Sequence, residues 1–360
     1  SSDFPRVGST NVFLQDWEVF VAHLSGIGPE LLISALVGGS ADDIPQTICL
    51  DGVGGAWIGG YTSSGDLPKT NAWQSALGGG VDGFVARLRG DGVWDPVSFL
   101  GGSLYDEVRG LEVLPGGDLC VFGVAASKNF ATNHLVGVTN AANLDVFVAR
   151  YAPGSAQPTY LTRVGGNGLD HGWGFSVSAS GETTVAGHTT STNFPVLQAM
   201  QTTNSGGTNG FAFRLTADGS NLVFSSYLTR GSNDEVYSLA AAPDGTYWIC
   251  GRCTSTNTLS GSGVTGLPAT NAFGYVEGFL LRWSPENPGL QIRADAGAGL
   301  LLSWPEGMGG YTLETLPSLS GSATNWVPWP DPPVAAEGRF RVAVTNYSAP
   351  EEYYRLRGPE

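Results

Sequence analysis

One short string recurs along this chain at a nearly fixed interval, and it narrows the available folds more than any other feature. It reads WEVFVAHL (Trp17–Leu24), DGFVARL (Asp82–Leu88), DVFVARY (Asp145–Tyr151), NGFAFRL (Asn209–Leu215) and EGFLLRW (Glu277–Trp283). The aromatics that anchor it, Phe20, Phe84, Phe147, Phe211 and Phe279, are spaced by 64, 63, 64 and 68 residues. A constant period of this length signals stacked units instead of one irregular domain. The chain's 360 residues also exceed what a single ordinary core accommodates.

Each unit is expected to hold four strands. Strand one is read at Gln46–Asp51, Gly110–Pro115, Gly174–Ser180 and Ser238–Pro243. A tight turn leads to strand two at Ala56–Thr62, Asp118–Val124, Thr183–Thr189 and Tyr247–Cys253. The turns Asp51-Gly52, Gly116-Gly117, Ser180-Gly181 and Asp244-Gly245 use residues that accept positive φ. A long connection follows, with a second recurrent signal: SSDFP (Ser1–Pro5), SSGDLP (Ser63–Pro68), SKNF (Ser127–Phe130), STNFP (Ser191–Pro195) and the looser Ser255–Pro268. Strand three is the anchored string. Strand four ends in glycine at Leu32–Gly39, Pro96–Gly102, Tyr160–Gly166 and Phe224–Gly231. In strand three, Phe84, Ala86 and Leu88 face one way and Val85 and Arg87 the other. One such sheet cannot bury both faces alone, but face-to-face stacking around an axis buries them, which is the logic of a β-propeller blade. The unit is longer than the ~40–45 residues of common blades. The surplus sits in the connection between strands two and three and is expected outside the sheets.

The run GGS-x-x-D, hairpin, G-x-T-S-S-x-x-F-P, D-x-F-V-A-R-L, then Y-L and a glycine pair resembles the bacterial SBBP β-propeller repeat family over about residues 1–283. Thr189–Pro195 and Asp145–Arg150 carry it most closely, whereas the last repeat departs in loop length and has Leu267-Pro268. The resemblance implies a propeller fold and a surface or secreted protein, and no defined activity. The chain enters with strands three and four of one unit and leaves with strands one to three of another, an open arc of about four and a quarter units. Since a closed ring removes exposed edges, further repeats are expected upstream or from another copy.

The linker SPENP (Ser284–Pro288) ends the period. Beyond it, six short apolar runs at roughly ten-residue spacing suggest a small β-sandwich over 289–360. That segment resembles the Ig-like or fibronectin-like modules that end many secreted bacterial proteins. The expected class is therefore all-β, a partial propeller followed by a sandwich. The 53 glycines and only two lysines (Lys69, Lys128) agree with it.

The formal charge of −15 argues against a nucleic-acid partner and against docking on anionic lipid. No apolar run approaches the ~18 residues of a membrane-spanning helix. Acidic residues recur after the glycines: Asp42 and Asp43, Asp106 and Glu107, Asp170, and Asp234 and Glu235. Either they contribute to calcium sites, which need roughly 6–8 oxygens, or they cap the amides of a repeated turn. No histidine pair among His23, His134, His171 and His188 has metal-ligand spacing. Asp170-His171 is unique among the repeats and permits a general-base role. Trp73, Trp94, Trp173 and Tyr61 are candidates for a sugar-stacking platform, with Trp73 expected exposed and Trp57, Trp248 and Trp283 in the core. Arg89-Gly90-Asp91 is read as turn chemistry. Cys49 and Cys120 are read as buried, and Cys250 and Cys253 as free thiols, a local disulfide or, least in keeping with a strand, a redox pair. The function expected is a non-enzymatic extracellular interaction or structural protein, binding another chain or assembling with itself through sheet edges or loops. A carbohydrate-binding or carbohydrate-active protein is the alternative.

Overall fold

The computed structural model describes residues 17–28, 30–130, 132–137, 143–228, 233–242, 246–254 and 327–336, and the strands 264–266, 277–283, 291–295, 299–305, 312–316, 339–344 and 353–357. The described residues are all-β and contain no helix.

Strands β1 (Val19–Leu24) and β2 (Leu31–Val37) form a first, two-stranded sheet. The second is the meander β3 (Asp43–Leu50), β4 (Ala56–Thr62), β5 (Asp82–Leu88) and β6 (Trp94–Leu100). The third contains β7 (Asp106–Val113), β8 (Leu119–Ala125), β9 (His134–Gly137), β10 (Asp145–Tyr151) and β11 (Pro158–Gly165) in the order β7-β8-β10-β11-β9. The fourth is the meander β12 (Asp170–Val177), β13 (Thr183–Thr189), β14 (Asn209–Leu215) and β15 (Leu222–Leu228). The fifth runs β16 (Glu235–Ala241), β17 (Tyr247–Cys253), β19 (Glu277–Trp283) and β18 (Val264–Gly266).

Strand three explains why the sheets stack. Phe84 and Ala86 join Val19, Val21, Ala35 and Val37 in one core, while the intervening Val85 joins Val108 and Phe147 in the next. Phe147 and Ala149 look back in the same way, and Val146 and Val148 look forward to Phe211 and Phe213. Ala212 then meets Val236, Ile249 and Phe279. The alternation of a strand thus serves two cores, one on each face. Phe84, Phe147 and Phe211 are fully buried in equivalent places, and each such burial contributes roughly 1.5–3 kcal/mol. Strand one packs on strand one of the next sheet, β3 on β7, β7 on β12 and β12 on β16.

Several expectations need correction. Phe20 lies on the face of β1 turned away from the second sheet and is 58% exposed. Strand one begins three or four residues earlier than read, at the recurrent acids. The long connection does not stay outside the sheets: β9 adds in parallel to β11, and β18 adds antiparallel to β19. Elsewhere the connection bridges strand four, through Thr70 to Val97 and Leu197 to Ser225. An open sheet edge offers unpaired backbone groups, and the connection takes them up. The last unit therefore has a fourth strand, supplied by Val264–Gly266. Beyond it, two antiparallel sheets occur. One contains Gln291–Asp295, Gly299–Pro305, Val334–Ala336 and Arg339–Val344, and the other Thr312–Leu316, Val327–Pro328 and Tyr353–Arg357.

Candidate functional site

The acids that open strand one are not at exposed corners. Asp43, Asp106 and Asp170 open strand one and are fully buried. Each carboxylate accepts from the second glycine of the preceding pair: Gly39 N at 2.7 Å, Gly102 N at 2.6 Å and Gly166 N at 2.7 Å. Each also accepts from the serine that follows strand two: Ser64 Oγ at 2.9 Å, Ser127 Oγ at 2.6 Å and Ser191 Oγ at 2.9 Å. Two residues on, Asp66, Asn129 and Asn193 accept the backbone N–H of Ser40, Ser103 and Asn167 at 2.8, 2.8 and 2.7 Å. This clasp fastens the exit of one sheet to the entry of the next. A Cβ on Gly39, Gly102 or Gly166 would strike the clasp serine, and one on Gly101 or Gly165 would strike Asp82 or Asp145. The glycine pairs and the S-x-[DN] signal are two halves of one device. Burial raises the carboxyl pKa of Asp43 and Asp106, and that of Asp170 to about 6 against the pull of Thr189, Gly166 and Ser191. Asp234 is likewise buried, with its clasp loop outside the described residues. Asp42 is exposed and accepts the Trp17 N–H at 3.4 Å. Among the described residues, no group of three or more His, Cys, Asp or Glu side chains is placed to hold a metal ion. The amide-capping reading of the acids accounts for these bonds.

Strand one carries a second repeated device, which sequence reading missed. Its pairing with strand two slips by one residue in every sheet, between Pro45 and Thr47, Val108 and Gly110, Gly172 and Gly174, and Val236 and Ser238. The residues left over are Gln46, Arg109, Trp173 and Tyr237. A β-bulge of this kind re-aims its extra side chain out of the ladder. The partner strand pays with a glycine: a Cβ at Gly60, Gly123, Gly187 or Gly251 would collide with the carbonyl oxygen of Ile44, Glu107, His171 or Glu235. That glycine, recurring in GGYT, FGVA, AGHT and CGRC, was the available signal.

From the third sheet to the fifth, the bulged side chains touch. The Arg109 guanidinium lies 4.0 Å from the Trp173 ring centroid and donates to Gly172 O at 3.2 Å. Trp173 meets Tyr237 edge-on at 5.8 Å. Glu107, buried, accepts Tyr105 Oη at 2.9 Å and Arg109 Nη2 at 2.9 Å. Glu235 accepts Arg252 Nη2 at 2.7 Å and the Tyr237 hydroxyl. Tyr61 reaches Tyr105 at 5.9 Å. His171 and His188 pair across the β12–β13 hairpin with rings 5.2 Å apart, both beside Trp173. Burial, with Arg109 and His188 adding to it, lowers the His171 pKa to about 3; burial also lowers that of His188. Both imidazoles are neutral near pH 7. Asp170 and His171, as strand neighbours, face opposite ways: the acid serves the clasp and the imidazole the strip, so they form no acid–base dyad. The outcome is a continuous strip of aromatic and paired charged groups along the first strands, with Trp173 39% and Tyr237 38% exposed.

The expected sugar platform is divided. Trp173 and Tyr61 belong to the strip, whereas Trp94 donates its indole N–H to Leu36 O at 3.0 Å. Trp73 is half-buried and not a free surface ring: it stacks on Tyr151 at 3.9 Å and packs against the third-sheet core. Met200, at the same place in a later connection, packs on the fifth-sheet core. Trp57 is partly buried, Trp248 is 41% exposed against expectation, and the Trp283 side chain lies outside the described residues. Arg89 is tied to Asp91 at 2.6 Å within its turn. Cys250 and Cys253 form no disulfide; one is exposed and one buried, on opposite faces of β17, as their odd spacing on a strand requires. His23 is exposed, and His134 lies on β9.

No family model matches this chain, and no curated protein does. Among solved structures, a protein of unknown function from Dyadobacter fermentans is 12% identical with a TM-score of 0.37, over 77% of this chain and 75% of that one. A puromycin hydrolase S511A mutant complexed with PGG is 13% identical with a TM-score of 0.30, over 73% of this chain but only 34% of its own. At these scores neither likeness carries an argument about fold or chemistry.

Proposed function

We propose that this chain is a non-catalytic recognition protein, secreted or displayed at the cell surface. In this reading its sheets are propeller-type blades similar to SBBP repeats, strand one lines the axis, and the tail is an Ig-like or fibronectin-like module. One observation carries the proposal. At the three described junctions between repeats, the acid, the serine and the glycine pair stay the same and are consumed in holding sheets together; before Asp234 the sequence has Thr229 and Arg230 in place of the pair. The bulge position, pushed out of the ladder, changes every time: Gln46, Arg109, Trp173, Tyr237. In a repeat array, binding resides in side chains that vary over a constant frame. The charged groups of the strip are paired with one another, an arrangement suited to fixing a partner's register. The partner is another protein chain or a second copy of this one.

The test uses the intact chain. Immobilised protein is offered defined panels of surface proteins, of glycans, and itself by light scattering, alongside a hydrolysis panel that includes polysaccharides. Saturable binding that falls at least tenfold in Arg109→Ala/Trp173→Ala/Tyr237→Ala, with an unchanged circular dichroism spectrum, supports the strip. Turnover that disappears in Asp170→Asn without loss of folding would overturn the proposal, as would protein binding or self-association indifferent to the triple substitution.

A further inference from the structure

We propose that a cleft between the second and third sheets, lined by residues other than those of the strip, binds a neutral pyranose glycan. The cleft measures about 520 Å³ and is walled by Trp57, Trp73 and Tyr151, with Asn71, Arg87 and Asp95 supplying polar groups. Its size lies within the roughly 300–1,000 Å³ usual for small-ligand sites. Trp57 and Trp73 stand 6.0 Å apart with their planes tilted by 38°, so the wall is angled instead of flat.

The packing role of Trp73 does not account for the whole arrangement. The residues matching Trp57 in later sheets are Cys120, Thr184 and Trp248, those matching Tyr151 are Leu88, Leu215 and Trp283, and Met200 matches Trp73. Only at this interface do aromatics occupy all three positions among the described residues. Buried indole N–H groups ordinarily find an acceptor, as Trp94 does. Trp57 and Trp73 line the cleft with indole N–H groups that have no protein acceptor among the described residues and are not buried, so both are accessible to a ligand.

The remaining polar groups select the chemistry. Arg87 is held by Asp51 at 2.7 Å, and Asn71 donates to Asp95 at 2.6 Å. Asp95 keeps its second oxygen at 3.9 Å from Arg89, so its acceptor capacity is not exhausted. The cleft thus offers the aromatic surface of Trp57 and Trp73 beside the Trp73–Tyr151 stack, with donors and acceptors, but no uncompensated cation. Aromatic faces match the C–H faces of a pyranose, and the mixed polar rim matches its hydroxyls. An anionic sugar would meet no unpaired positive group on a protein of formal charge −15.

The intact chain is titrated by calorimetry and by saturation-transfer NMR with neutral oligosaccharides of glucose, galactose, mannose and N-acetylglucosamine. Saturable binding to at least one is expected. Asn71 has φ +47°, so Asn71→Gly removes the amide while keeping the backbone, and should weaken binding at least fivefold. Trp73→Phe keeps the stacking ring but loses the N–H, and should also weaken it. Trp173→Ala, in the strip, should leave it unchanged. Absence of saturable binding to every sugar overturns the proposal. So does binding unaffected by Asn71→Gly, or binding lost in Trp173→Ala, which would move the site to the strip. Failure here leaves the strip's own test standing.

Discussion

Gly187 lies opposite the bulge of β12, where any Cβ meets the His171 carbonyl. Gly187→Ala should therefore destabilise by about 1–3 kcal/mol, the usual cost of forcing an extra carbon into a packed place, measured by urea unfolding. A stability unchanged to within error would mean that the bulge relaxes freely. Buried acids make a different prediction. Burial raises the Asp145 pKa to about 7, against the pull of Arg163, and that of Asp170 to about 6. Folded values above the unfolded ~3.9 mean that the folded state holds these protons more tightly. Their contribution is complete below about pH 4 and is lost as pH rises through 6 and 7. Between about pH 4 and pH 7 these two carboxyl groups should therefore pull the unfolding free energy down, while His171 and His188, lowered by burial, pull it up, so the share of Asp170 is the change of slope in Asp170→Asn at constant salt. An unaltered slope would show that Asp170 does not titrate in this window.

The strands themselves were mostly legible from sequence. Strands two and three were placed correctly because their alternation serves two cores and is bounded by turn residues. Strand one was read too short, because an acid next to a glycine pair looks like a turn. Only the clasp shows why a carboxylate belongs at the buried start of a strand. The His171–His188 contact was hidden by a separation of 17 residues, which matches no ligand spacing. Antiparallel pairing across the β12–β13 turn brings them together. Trp248 was misjudged because alternation assigns faces, not what covers them. The clasp is also testable by itself. Ser191→Ala leaves the Asp170 carboxylate one donor short and also removes the acceptor of the Gly168 N–H. It should destabilise by about 1–3 kcal/mol, while Thr192→Ala, on the exposed rim of the same loop, should cost less. Equal losses would count against the clasp.

Stacked sheets, each leaning on its neighbours, predict graded stability. The third and fourth sheets have covered faces on both sides, whereas the first contributes two strands to a single shared core. Repeat arrays couple neighbour to neighbour, and local opening follows the least-buried unit. Native-state hydrogen exchange should show amides of β8, β10, β13 and β14 most protected and those of β1 and β2 least. Uniform protection would mean one cooperative block instead of coupled sheets. The period announced this stacking, but it was silent on the bulges, because a slip of one residue leaves no mark on spacing.

Those bulges separate two jobs that proteins usually entangle. A side chain outside the ladder contributes little to pairing, so replacing Gln46 by a ring or Tyr237 by a cation leaves the bonds that hold the sheet as they were. If the strip recognises a partner as proposed, exchanging a few letters on this fixed type-bed would change what it recognises, and duplicating a unit would add one more blank position to be filled.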